Sequence, residues 1–154
     1  MSGLIKLGCT VADVYHRYHE IHGELFGASY FRRMIDATRG RRGRPYTQLV
    51  QTLNELQVEL TGLESQISNP GNDAPVTGAD RELRQALLEY TRYLNRAVNG
   101  LENICANLGQ NEVAYRRLTA DGRSRFTADK LNYDHQLSEL ERLGTRLEKL
   151  FANY

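Results

Sequence analysis

The chain has 154 residues, 40% of them hydrophobic and 25% charged, and a formal net charge of +1. That length fits one domain able to bury a core without disulfides or metal, and the balanced composition excludes disorder as the default state. A near-neutral total singles out no class of partner, so the placement of charge along the chain has to carry that argument.

Two cysteines, Cys9 and Cys105, are too few for a secreted disulfide scaffold. They predict reduced thiols and a cytoplasmic location. No apolar run approaches the roughly 18 residues of a membrane span. The stretch ahead of Cys9 is too short for a lipoprotein leader and is interrupted by Lys6, and Ser2 after Met1 gives no myristoylation signal.

From the N-terminus, Leu4, Leu7, Val11, Val14, Tyr18, Ile21 and Leu25 alternate steps of three and four, the heptad pattern of a helix with one apolar seam. Ala28, Arg32 and Ile35 continue the register, which predicts a helix over about 3–37, with Gly23 and Gly27 as the place for a kink. The segment Thr38–Pro45, with two glycines and a proline, ends it. Leu49, Leu53, Leu56, Leu60, Leu63 and Ile67 predict a second helix over about 46–68. Asn69–Gly78 holds two prolines and two glycines and reads as a loop.

The strongest periodicity follows. Leu83, Leu87, Tyr90, Leu94, Ala97, Leu101, Ile104 and Leu108 keep heptad steps without a slip, predicting a helix over about 79–108. Thr77 and Asp80 have the spacing of a capping box, and Gly109 suits the left-handed position after the last turn. A fourth helix is expected over about 111–152, opened by Tyr115 and Leu118 and resumed by Tyr133, Leu137, Leu140, Leu143, Leu147, Leu150, Phe151 and Tyr154. Between them Thr119–Asp129 is poor in apolar residues and contains Gly122, so a through-running helix with a kink or an exposed stretch is expected there.

At ~1.5 Å per residue the third helix is about 45 Å long, whereas the connecting loops span at most ~35 Å. Neither loop can run back along the bundle, so successive helices should be antiparallel. The expected fold is all-α, a single domain built as an up-down-up-down four-helix bundle. Cys9 and Cys105 then lie towards opposite ends, out of disulfide reach.

That topology gathers positive charge. Phe26–Val50 has six Arg against Asp36, and Arg92–Lys130 has six Arg and Lys130 against four acids, whereas Gln51–Thr91 has two Arg against seven acids. Arg39, Arg41, Arg42 and Arg44 in the loop, with Arg116, Arg117, Arg123 and Arg125 from the last helix, form the candidate site for an anionic partner. Arg42-Gly43-Arg44-Pro45 resembles the AT-hook core, which implies minor-groove contact with A·T-rich DNA. Tyr46 and Thr47 stand where such hooks usually carry Lys or Arg, and the segment joins two helices.

His16, His19 and His22 have spacings that bring imidazoles within one helical turn, with Glu20 or Glu24 as oxygen ligands of a metal. With Leu4 at position a, however, His16 falls at f and His19 at b, away from the core, and His22 at e. No Glu has a His three residues later, the pairing that carboxylate-bridged metal bundles use. No metal or other cofactor is therefore expected. Tyr18 and Tyr90 sit on seams, where a phenol buries its ring and sends its hydroxyl to a partner or the rim. Phe26 and Tyr30 fall on outward positions and suggest a homodimer or partner surface. No nucleophile elbow, phosphate loop, zinc-protease helix or C-x-x-C motif occurs. The sequence is thus read as a non-catalytic adaptor- or chaperone-like module. An acidic protein surface is its first expected partner and nucleic acid the alternative. A metal- or cofactor-binding bundle using the histidine face ranks third.

Overall fold

The computed structural model describes residues 3–26, 46–69, 77–110 and 120–154, with the backbone alone described at 26, 107–110 and 120–127. The four helices are α1 (Gly3–Phe26), α2 (Tyr46–Ser68), α3 (Gly78–Gln110) and α4 (Ala120–Ala152), packed as a four-helix bundle with no strand among the described residues. The part of the first helix expected beyond Phe26, and the opening of the last one at Tyr115 and Leu118, lie outside those residues. Where described, α4 is continuous through Gly122.

Heptad position translates into burial on α1 and α2, and less strictly on α4, where Leu137, Leu150 and Phe151 are half-buried and Tyr154, just past the helix, is exposed. Leu4, Val11, Val14, Tyr18, Ile21 and Leu25 of α1 are buried, as are all six seam residues of α2. In α3 the buried set is wider than one seam. Leu83, Leu87, Leu94, Ala97, Leu101 and Ile104 are joined by Thr91, Val98 and Cys105, a second stripe spaced by seven, and by Ala86 and Leu88. The cause is position, because α3 packs against each of the other three helices. Among the described residues, no Cα of α1 or α2 comes within 8 Å of one in α4. The bundle is therefore closed around α3 and parted between α1 and α4.

Cross-helix pairs fix the helix directions. Gln57 with Glu102, Asn95 with Thr61 and Arg84 with the Ile67 carbonyl run in opposite order along α2 and α3. Tyr154 with Asp80 and Arg146 with Glu89 do the same for α3 and α4. Gly8 lies against Phe151 while His22 meets Tyr133, so α1 also runs against α4, and hence parallel to α3 and against α2. Cys9 is exposed near the start of α1 and Cys105 buried towards the end of α3, so the two lie at opposite ends of the bundle and neither is in a disulfide.

The ends of α3 differ from expectation in detail. The Thr77 hydroxyl accepts from the Asp80 backbone N–H at 3.1 Å and donates to its carboxylate at 2.9 Å. Asp is one methylene shorter than Glu, so its carboxylate closes on the hydroxyl, which gives half of a capping box. Gly109, expected just past the last turn, instead lies within α3, which continues to Gln110. At the C-terminus of α2, which has no basic residue of its own in the last turn, the Arg84 guanidinium donates to the Ile67 carbonyl at 2.7 Å. One of the orphan carbonyls of that helix is thus satisfied from the neighbouring helix.

Leu94 is fully buried at the middle of α3. Leu94→Ala is expected to destabilise the protein by about 2–5 kcal/mol through the cavity left behind, read from urea unfolding. A loss under about half a kcal/mol would mean that this position is not core.

Candidate functional site

The face of α1 at heptad positions b, e and f does not simply look into solvent. With α4 it borders a groove of about 1000 Å³. The groove exists because small residues stand where the two helices face each other: Gly8, Cys9 and Ala12 on α1, and Gly144, Thr145 and Ala152 on α4. Gly144 occupies the place on the α4 seam that a strict heptad from Leu137 and Leu140 gives to an apolar side chain. A Cβ there would lie 3.3 Å from the Tyr90 ring, so Tyr90 of α3 closes over the space. At Gly8 a Cβ would lie 2.6 Å from the tip of Phe151, so the absence of a side chain seats that ring.

Aromatic rings line one wall. Tyr15 stacks on His19 with centroids 5.6 Å apart, and His19 stacks on His22 at 6.0 Å. The His22 ring then lies 5.7 Å from that of Tyr133 on α4. Beneath them a hydrogen-bonded chain crosses from α1 to α4. The Tyr18 and Tyr133 hydroxyls are bonded to each other, and the Tyr133 hydroxyl also lies 2.8 Å from His22 Nδ1. One proton per group satisfies the chain in either direction, from Tyr18 to His22 or the reverse.

Burial pushes both phenols above the ordinary tyrosine range, so they remain protonated. Tyr90, half-buried, is raised by the same cause. For His22 burial works in the opposite sense. Desolvation, aided by nearby His19, lowers its pKa and favours the neutral imidazole.

The candidate residues of the sequence divide three ways. Arg39, Arg41, Arg42, Arg44, Arg116 and Arg117 lie outside the described residues, as does Tyr30. Arg123 and Arg125 lie on the backbone of α4, with their side chains outside the described set, as is that of Phe26 on α1. His16 and His19 are exposed, whereas His22 turns into the Tyr133 contact. Among the described residues no three His, Cys, Asp or Glu side chains converge as a metal site requires.

The Tyr18–Tyr133–His22 chain escaped sequence reasoning. Its signal is two seam tyrosines placed so that antiparallel helices bring them level. The groove was missed for a related reason. Leu137, Leu140 and Leu143 take two steps of three in succession, and that slip conceals Gly144 on the seam.

Removing the bridging hydroxyl with Tyr133→Phe leaves Tyr18 with a buried, unpaired hydroxyl. The expected cost is about 1–3 kcal/mol in urea unfolding. The depressed pKa of His22 also carries a pH signature. The unfolded chain takes up the proton first, from about pH 6.5 downward, so this contribution to stability is complete above that pH. It is lost as pH falls towards the lower folded-state value. Melting temperatures of the wild type and His22→Gln, compared from pH 8 to pH 5, should converge as the solution is acidified. A parallel pair of curves would remove His22 from the pH dependence.

Compared with protein-family models, with curated proteins and with solved structures, the chain matches none.

Proposed function

We propose that the protein is a non-catalytic interaction module that docks an acidic partner surface through the arginine-rich end of its bundle. The observation that carries this reading is where the helices end. With α1 parallel to α3 and both antiparallel to α2 and α4, Phe26, Tyr46, Gln110 and Ala120 belong to one end of the bundle. Both arginine-rich connections are anchored there. Residues 27–45 have six Arg against Asp36, and residues 111–119 have Arg116 and Arg117 against Glu112. The connection at the opposite end, residues 70–76, carries Asp73 as its one charge.

A net +6 tethered to one end of a chain whose total is +1 makes the molecule a dipole along its axis. Such a field speeds and orients encounters with an anionic surface. Arginine at every charged position of Thr38–Pro45 favours bidentate contact with carboxylates or phosphates. Nucleic acid offers the same phosphate chemistry, and the AT-hook-like Arg42–Pro45 segment supports it as the second reading.

The test is the double reversal Arg41→Glu with Arg42→Glu, measured against a polyglutamate chain and a random-sequence DNA duplex over a salt series. The helical circular dichroism signal and melting temperature should not change. Binding to polyglutamate should weaken by about tenfold or more and fall steeply with salt. DNA bound more tightly than polyglutamate, with a steep salt slope, would move the assignment to nucleic acid. Selective loss on A·T-rich duplexes in Arg44→Ala alone would identify a groove-binding hook. Unchanged affinity of the double variant for both probes would reduce the arginine-rich end to solvated surface.

A further inference from the structure

The groove between α1 and α4 has a chemistry of its own, far from the arginine-rich connections in character. Among the described residues its lining includes Tyr15, Tyr18, Tyr90 and Phe151, three imidazoles and two carboxylates, and no lysine or arginine. We propose that this groove binds a small organic cation, an aromatic amine or quaternary ammonium compound, between the aromatic wall and the carboxylates of Glu141 and Glu148.

Four observations carry the assignment. The volume, about 1000 Å³, is that of a site for a drug-sized molecule and exceeds the space of a few bound waters. The aromatic faces are those that attract a positive charge: a cation within about 6 Å of a ring centroid is held by the ring quadrupole, more strongly when water is displaced.

The charge around the groove is unbalanced in the same sense. Glu141 and Glu148 lie seven residues apart on one face of α4, and neither has an ion-pair partner among the described residues. Arg142 and Arg146 of that helix are engaged elsewhere, with Glu139 at 2.8 Å and Glu89 at 3.5 Å, and the other cation near Glu148, Lys149, is exposed and outside the groove lining. Finally, the Tyr90 hydroxyl has no hydrogen-bond partner among the described residues and lies within the electrostatic reach of Glu148. It offers an ammonium N–H or a ligand hydroxyl a place to bond. An anion would meet two carboxylates and no lysine or arginine among the described lining residues, and a wholly apolar ligand would leave the carboxylates unused.

The experiment uses the full chain, isotopically labelled, at about pH 8, where imidazoles are largely neutral. Benzyltrimethylammonium and phenethylamine are titrated by NMR against 3-phenylpropionate and benzyl alcohol as anionic and neutral controls. Saturable shifts confined to α1 between Gly8 and His22 and to α4 between Leu137 and Ala152 are expected for the cations alone. Glu141→Gln with Glu148→Gln should weaken cation binding by about tenfold or more. Ala12→Leu should abolish it by filling the space. Thr145→Leu, at a second exposed lining position, serves if that variant melts early. Equal binding of 3-phenylpropionate, full affinity in the double Gln variant, or no saturable shift by either cation would overturn the proposal. So would sedimentation with phosphatidylcholine vesicles without any response to free benzyltrimethylammonium, since the groove would then read a lipid surface.

Discussion

The bundle depends on the burial of α3 on more than one side. Its heptad seam would satisfy a single neighbour, but Thr91, Val98 and Cys105 add a second stripe and give the other helices a common surface to pack on. Each large apolar side chain withdrawn from water contributes about 1.5–3 kcal/mol, offsetting the entropy of ordering four long helices. Thr91 is a polar side chain of α3 buried in that interior. It is tolerated because its hydroxyl donates to the Leu87 carbonyl at 2.7 Å, one turn back along its own helix.

Concentrating the packing on α3 leaves the opposite side of the bundle free to hold something other than core. Across the α1–α4 face the helices stand apart, and single side chains span the gap: Phe151 over Gly8 at one end, and Tyr133 with Tyr18 and His22 at the other. The bridging groups are polar where they are deepest, and each hydroxyl or imidazole has a partner, so their burial is compensated. Hydrogen bonding at fixed geometry keeps the two helices at a set distance, which a purely apolar contact would leave to close. The two proposed sites are distinct in kind, one resting on the arginine-rich sequence of two connections and the other on carboxylates beside aromatic rings along a flank.

Most of the fold was legible in the sequence because burial follows heptad position, which depends on spacing alone. All six seam residues of α2 are buried, as are six of the seven on α1, Leu7 being half-buried. What spacing does not encode is which helix sits at the centre. The second stripe of α3 is readable only once a helix is known to have three neighbours, since Thr91 and Cys105 are not apolar markers. The candidate site was legible in its ingredients and not in its arrangement. His16, His19 and His22 stand out as a group, and His16 and His19 are exposed as their f and b positions predict, whereas His22 at e is half-buried against Tyr133. A heptad wheel, however, assigns those positions to solvent, whereas parted helices turn them into a wall. Gly144 shows the same limit from the other side, because a glycine on a seam reads as a gap in a pattern until Tyr90 is seen to fill it.

The bridges between α1 and α4 also differ from all others in the distance along the chain that they close. Pairs joining α2 to α3 are separated by 17, 34 and 45 residues, and Arg146 with Glu89 joins α4 to α3 across 57. Tyr18 with Tyr133 closes 115 residues and His22 with Tyr133 closes 111. Loop-closure entropy opposes the widest loops most, and contacts of low sequence separation form first. The α2–α3 hairpin is therefore the natural nucleus, to which α1 adds through Arg17 with Glu59 across 42 residues and α4 through Arg146 with Glu89 across 57. Docking of α1 onto α4 belongs at the end of folding. A groove whose walls are joined only by these widest closures can open by parting them, while α1 stays packed on α2 and α3, and α4 on α3.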